Sequence, residues 1–276
     1  MKLLTLKEVY CMTERIDEQS EHEEQEAQTD LRAAIMARRR AIVSKLEKKR
    51  SSKVITLIHR REPWEEEDED GSNEVITIED SEFVLMEIHR TPDESPIDLI
   101  VHTPGGLALA AEMIAIALKH HPAKTTVMVP FYAMSGGSLI ALAADEILME
   151  PYAVLGPVDP QINGYPAAAY EALLREKPLE AIQDEVVMLA HVARLSTGQV
   201  KNFVKWLITD RLPAEKSESL AEFLSGGYIT HDTPITLETL RGWGLPVREG
   251  VPSEVFEFFT TCEFCLCKRP CLASYS

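Results

Sequence analysis

Two short stretches limit what this chain can fold into more than any others: HTPGG at residues 102–106 and MSGGS at residues 134–138. Each closes an apolar run, IDLIVHT (97–103) in one case and KTTVMVP (124–130) in the other, and each opens into a run rich in Ala, Leu and Ile with helical periodicity. A strand, a glycine pair and a helix, met twice in succession, is the unit from which a parallel sheet with right-handed crossovers is built. Adjacent parallel strands bring their C-terminal ends to one edge of the sheet, where the sites of α/β proteins lie. Two glycine-lined corners therefore face each other, and Ser135 sits in one of them.

The rest of the chain is consistent with an α/β fold. KVITLIH (53–59) reads as a strand, VITI (75–78) as another, and a helix is expected over 80–90. Helices are expected over 107–120 and just after Ser135, followed by short strands near EILME and AVLG. Beyond residue 167 the pattern is mostly helical: 167–176, 179–208 with an interruption near Gly198, 214–224 and 236–242. The first fifty residues change character abruptly, from the acidic ERIDEQSEHEEQEAQTD (14–30) to a basic run with apolar positions at helical spacing from Leu31 to Leu46, with Asp30 as its expected N-cap. That segment predicts a surface helix packed on the domain or on a neighbouring subunit, and the acidic block beside it opposes docking on anionic lipid. The acidic loop 61–74 is too polar to bury.

Three units follow: a charged helical extension (1–50), an α/β domain (51–250) and a Cys-rich tail (251–276). With 276 residues, 45% hydrophobic and 26% charged, the chain is long enough for one large domain with a filled core. A formal charge of -17 argues against nucleic acid as a general partner, since phosphate binding needs a basic face. The longest uncharged apolar run at the first corner breaks at Glu112, too short for a transmembrane helix. The N-terminus has no apolar stretch of signal-peptide length, so the expected compartment is the cytoplasm. Cys262, Cys265, Cys267 and Cys271 form a C-x2-C-x-C-x3-C cluster. Structural zinc sites split their ligands into two separated pairs, so the expectation is reduced cysteines in a tail, with no metal and no cofactor.

The corners permit acyl transfer. A serine at a strand-to-helix turn has its hydroxyl near unpaired helix N–H groups and the positive end of the helix dipole. Backbone N–H groups of Gly106 and Gly136 can converge on one oxyanion. A nucleotide phosphate site is not indicated, because neither corner carries G-x-x-x-x-G-K or G-x-G-x-x-G.

LIVHTPGG, followed by YAMSGGSLIALAADEILMEPYAVLGPVDPQI, resembles the serine dehydrogenase proteinase family, which is similar to signal peptide peptidase A and to the Clp protease proteolytic subunit within the ClpP/crotonase superfold. The resemblance covers roughly residues 50 to 250. It implies a spiral of β-β-α units with a helical C-terminal part, assembled as a homo-oligomer. It also implies a serine endopeptidase acting on a peptide or protein through an acyl-enzyme on Ser135, with Gly106 and Gly136 as oxyanion donors.

The general base stays open. Clp-type enzymes carry a histidine where this chain reads GPVDPQ, and no histidine lies between Ser135 and His191. HDTPITLETLRGWGL resembles the region that holds the acid of the Clp triad, which puts Asp232 at the matching position. Signal peptide peptidases use a lysine from a later helix, and the nearest candidates here are Lys177 and Lys201; such a lysine must be desolvated or placed beside positive charge to lose its proton. His231 is a third candidate, paired with Asp232, although neighbours on a strand point to opposite faces. Asp159 reads as a turn residue, and His102, His120 and His121 as strand- or helix-end residues without chemistry. Two other functions fit the same corners: a crotonase-like acyl-CoA enzyme with paired backbone donors and no nucleophile, and an inactive scaffold.

Overall fold

The computed structural model describes residues 6–60, 62–64 and 75–262. Along the chain run α1 (Leu6–Arg50), β1 (Lys53–Ile58), α2 (Ile78–Arg90), β2 (Ile97–His102), α3 (Ala108–His120), β3 (Thr125–Val129), β4 (Tyr132–Ala133), α4 (Gly136–Ala143), β5 (Glu146–Met149), β6 (Val154–Leu155), β7 (Gln161–Ile162) and β8 (Tyr165–Pro166). There follow α5 (Ala167–Glu176), a 3-10 turn (Leu179–Ala181), α6 (Asp184–Ile208), α7 (Ala214–Ser225), β9 (Ile235–Thr236), α8 (Leu237–Trp243), β10 (Val247–Glu249) and α9 (Ser253–Phe259).

The main sheet has the order β1-β2-β3-β5-β10, and every pairing in it is parallel. All six residues of β2 are buried, as expected of a strand covered on both faces. Period-two alternation sends Ile55, Leu99, Val101, Val127 and Val129 into the larger core under the helices around α4. Val54, Ile100, Met128 and Leu148 point the other way, onto Leu46, Val255 and Phe259. That second cluster joins residues from both sides of the boundaries expected at 50 and 251: α1 and α9 close one face of the sheet together, and Lys49 reaches Glu254 at 2.9 Å. The segment from 251 to Cys262 is thus a packed helix and its cap, because Val251, Val255 and Phe259 supply apolar area that the face of the sheet needs.

A second sheet, β4-β6-β9, branches from the end of the first. The link is at the corners: Thr103 and Ala133 form an isolated bridge, and Met134 N–H donates to Thr103 O at 2.9 Å. At β3-β4-α4 the chain passes from the main sheet into the small second sheet before the helix, a β-β-α unit, and before α3 the same step is reduced to the Thr103 bridge.

Several local expectations are corrected. VITI is not a strand: Ile76 makes a single bridge to Gly106, and Thr77 caps α2 in a capping box with Asp80, so the helix starts before pairing can extend. Asp30 is no N-cap, since α1 runs unbroken through it from Leu6. Gly198 does not interrupt α6; a glycine costs a helix only about 1 kcal/mol, and the 25-residue helix carries it with Val200, Val204 and Leu207 buried on its inner face. No helix among the described residues is long and apolar enough to cross a membrane.

Candidate active site

Ser135 is the N-cap of α4 and has φ 51° and ψ -115°, a left-handed conformation that costs a non-glycine residue roughly 1–3 kcal/mol. The strain is held in place from behind. Gly137 N–H donates to Met134 O at 2.8 Å, Ser138 N–H donates to Ser135 O at 2.9 Å, and all eight residues of α4 are buried. The Ser135 side chain makes no capping bond, which leaves its hydroxyl for other partners. Ser138 turns inward instead: its Oγ donates to Ala133 O at 2.8 Å and accepts from Gly156 N–H at 2.9 Å, tying the serine corner to the GPVDP loop.

The facing corner is clamped by Ile76. Its N–H donates to Gly105 O at 2.7 Å, and its carbonyl accepts from Leu107 N–H at 2.9 Å. Gly106 has φ +152°, and a Cβ there would lie 2.3 Å from Ile76 N. Gly136 is held as closely: a Cβ on it would meet Ala111 Cβ at 2.8 Å and Gly106 N at 3.9 Å. The two peptide groups are thus neighbours. Among the described residues neither the Gly106 nor the Gly136 N–H donates to another backbone group, and Gly136, as the first residue of α4, is among the N–H groups a helix leaves unpaired.

Both corners open into a cleft of about 610 Å³ whose wall includes Gly106, Ser135, Gly136, Asp159 and His231. Asp159 is not merely a turn residue. It is 3% exposed; one carboxylate oxygen lies 2.7 Å from His231 Nδ1, and the other accepts from Gln161 Nε2 at 2.8 Å. The carboxylate assigns the tautomer: Nδ1 carries the proton donated to Asp159, which leaves Nε2 as an acceptor, and Nε2 has no partner among the described residues.

The other expected bases lie elsewhere. Lys177 is the exposed C-cap of α5 and is not on the cleft wall. Lys201 lies one residue past the wall residue Val200, with its amine 2.8 Å from Glu218 and 2.8 Å from Glu222. Hydrogen bonds to these carboxylates raise its pKa, the opposite of what a lysine base requires. His231 and Asp232 belong to a turn rather than a strand, and Asp232 is exposed and off the wall. His102 is 1% exposed among Phe131, Tyr132 and Phe259, and burial pushes its pKa down to about 3, with Arg60 and His59 adding to the effect. Among the described residues no group of His, Cys, Asp and Glu is placed to hold a metal ion. Of the four clustered cysteines Cys262 is described, half-buried beside Arg39, and Cys265, Cys267 and Cys271 lie outside the described residues.

Sequence reasoning missed Asp159 as the partner of His231, and it missed Glu112, which stands on the same wall. Both GPVDPQ and HDTP were visible as motifs, but their meeting across 72 residues depends on the loop being tied to α4 and α7, the latter through Val158 N–H on Leu224 O at 2.9 Å.

A parallel α/β sheet carrying a β-β-α unit, with a strained serine opposite a glycine pair at one sheet edge, is the arrangement of the ClpP-like class. The chain belongs to the family of ClpP-like SDH-type serine proteinases, whose model matches residues 26–275. It is 49% identical over 235 residues to the uncharacterized protein MJ1495 of Methanocaldococcus jannaschii, covering 82% of this chain and 77% of that one. It is also 49% identical over 220 residues to the uncharacterized protein MJ0137 of the same organism, covering 78% and 75%. Among solved structures it is similar to a variant of the 1510-N membrane-bound stomatin-specific protease, with a TM-score of 0.43, 20% identity, and coverage of 67% of this chain and 79% of that one.

Proposed function

We propose that the protein is a serine peptidase in which Ser135 is the nucleophile, His231 the general base and Asp159 the residue that orients it. The reading rests on one observation: a buried carboxylate holds the Nδ1 of a histidine that shares a cleft wall with a strained, uncapped serine. His231 Nε2 takes the Ser135 proton as Oγ attacks the scissile carbonyl, and the Asp159 carboxylate stabilises the imidazolium that forms. The oxyanion of the tetrahedral intermediate accepts from the Gly106 and Gly136 N–H groups. His231 then passes its proton to the leaving amine, and a water activated by the same imidazole hydrolyses the acyl-enzyme. A crotonase-like reaction uses paired backbone donors but has no need of a strained serine or of a histidine held by a carboxylate.

The test is hydrolysis of a mixed fluorogenic peptide library by the wild-type protein and by Ser135→Ala. Turnover that disappears in the variant supports the reading, and equal turnover in both removes Ser135 from the chemistry. The same reading makes the chain a homo-oligomer, with α1 as part of the contact, since Leu31 and Met36 stay exposed while Ile42 and Leu46 are buried. Sedimentation at micromolar concentration checks this, and a monomer refutes it.

A further inference from the structure

Glu112 stands on the cleft wall without a role in acyl transfer. It lies one helical turn beyond Ala108 on α3, as Leu139 lies one turn beyond Ser135 on α4, and residues at i and i+4 share a helix face. Each helix therefore extends the site by one turn, α3 with a carboxylate and α4 with an aliphatic side chain. Ser196, Gln199 and Val200 of α6 complete this part of the wall. Glu112 has no hydrogen bond or ion pair among the described residues, and its pKa is raised by burial with no charged neighbour contributing. Among the described residues the wall carries no lysine or arginine. Asp159, the other carboxylate among the described wall residues, is already engaged by His231 and Gln161.

A half-buried carboxylate without a partner is costly to desolvate further, so an apolar side chain entering beside it is disfavoured and a cation is favoured. The formal charge of -17 draws cationic peptides to the protein in the same sense. We propose that Glu112 determines the specificity of this cleft, and that the preferred substrates are peptides with a lysine or arginine next to the scissile bond. The cation meets the Glu112 carboxylate while its methylene stem lies along Leu139 and Val200. The substrate class rests on the peptidase reading; the cationic subsite itself is tested without chemistry.

The experiment is calorimetric binding to the Ser135→Ala protein of two peptide amides that differ only in lysine against norleucine at one position. The lysine peptide is expected to bind on the order of 10- to 100-fold more tightly, as for a hydrogen bond to a charged group, and Glu112→Gln in the same background should bring the two within about 3-fold. Equal affinities, a preference for norleucine, selectivity that survives Glu112→Gln, or no measurable binding of the lysine peptide overturns the assignment. The same peptides in fluorogenic form are then offered to the protein with Ser135 intact. Hydrolysis without lysine selectivity overturns the subsite and leaves the peptidase reading standing, whereas Glu112-dependent binding without hydrolysis overturns the peptidase reading and leaves the subsite.

Discussion

The imidazole of His231 and the carboxylate of Asp159 meet at 2.7 Å, although 72 residues separate them in the chain. Asp159 is almost fully buried and His231 about one-third exposed, so the pair has one side in the protein and one side in the cleft. An aspartate buried beneath a histidine holds one tautomer and one ring orientation.

Asp159→Asn should therefore lower kcat on the order of 10³-fold while the far-ultraviolet spectrum stays that of the wild type, because the amide favours the wrong tautomer. His231→Ala should lose at least as much. Lys177→Ala and Lys201→Ala should retain activity within about 2-fold, since one lysine is an exposed helix cap and the other is neutralised by two glutamates. Steady-state rates of the four variants on one fluorogenic peptide separate the histidine from the lysines as base.

Gly106→Ala should reduce both stability and turnover. The added methyl would overlap Ile76 N and O, each 2.3 Å away, and the facing segment can yield only by breaking the bonds that clamp Gly105 and Leu107. A loss of several degrees in Tm together with a drop in kcat of at least 10-fold is expected. A variant with wild-type Tm and rate would show that the corner is not rigid.

His102 makes the fold acid-sensitive. Its pKa is about 3 in the folded protein against 6.5 for a free side chain, so below about 6.5 the unfolded chain binds a proton that the folded one does not. Stability falls as pH drops from 6.5 towards 3, by roughly a few kcal/mol in all, and the contribution is fully present above 6.5. Chemical denaturation of wild type and His102→Gln at pH 7 and pH 5 checks this. The stability difference between the two pH values should be smaller in the variant, and equal differences would exclude His102 as the cause.

Strands β1, β2, β3 and β5 and both corners were legible because burial on both faces leaves the apolar stretches 99–101 and 127–129 at the centres of β2 and β3, and because Gly106 and Gly136 have no room for a Cβ; β7 to β10 are only two or three residues each and were not read. The helix 167–176 was equally plain from its periodicity. What was not legible depends on contacts distant in sequence. VITI has strand composition, yet Ile76 spends its backbone bonds on the Gly105–Leu107 corner and Thr77 its side chain on a cap. Asp232 occupies the position expected of an acid, but the turn at 231–232 directs the histidine to a loop 72 residues earlier. In the sequence Glu112 figures only as the charge that ends an apolar run, and the wall it shares with Ser135 is what distinguishes it.

The claim that Ser135 is activated by the His231–Asp159 pair is tested most directly by covalent labelling with diisopropyl fluorophosphate, followed by peptide mapping and a time course. The account predicts one adduct per chain, on the peptide that contains Ser135. It also predicts a labelling rate at least 10²-fold lower in His231→Ala and unchanged in Lys177→Ala and Lys201→Ala. An adduct on another residue, or labelling of Ser135 that is indifferent to His231 and lost with either lysine, would contradict it.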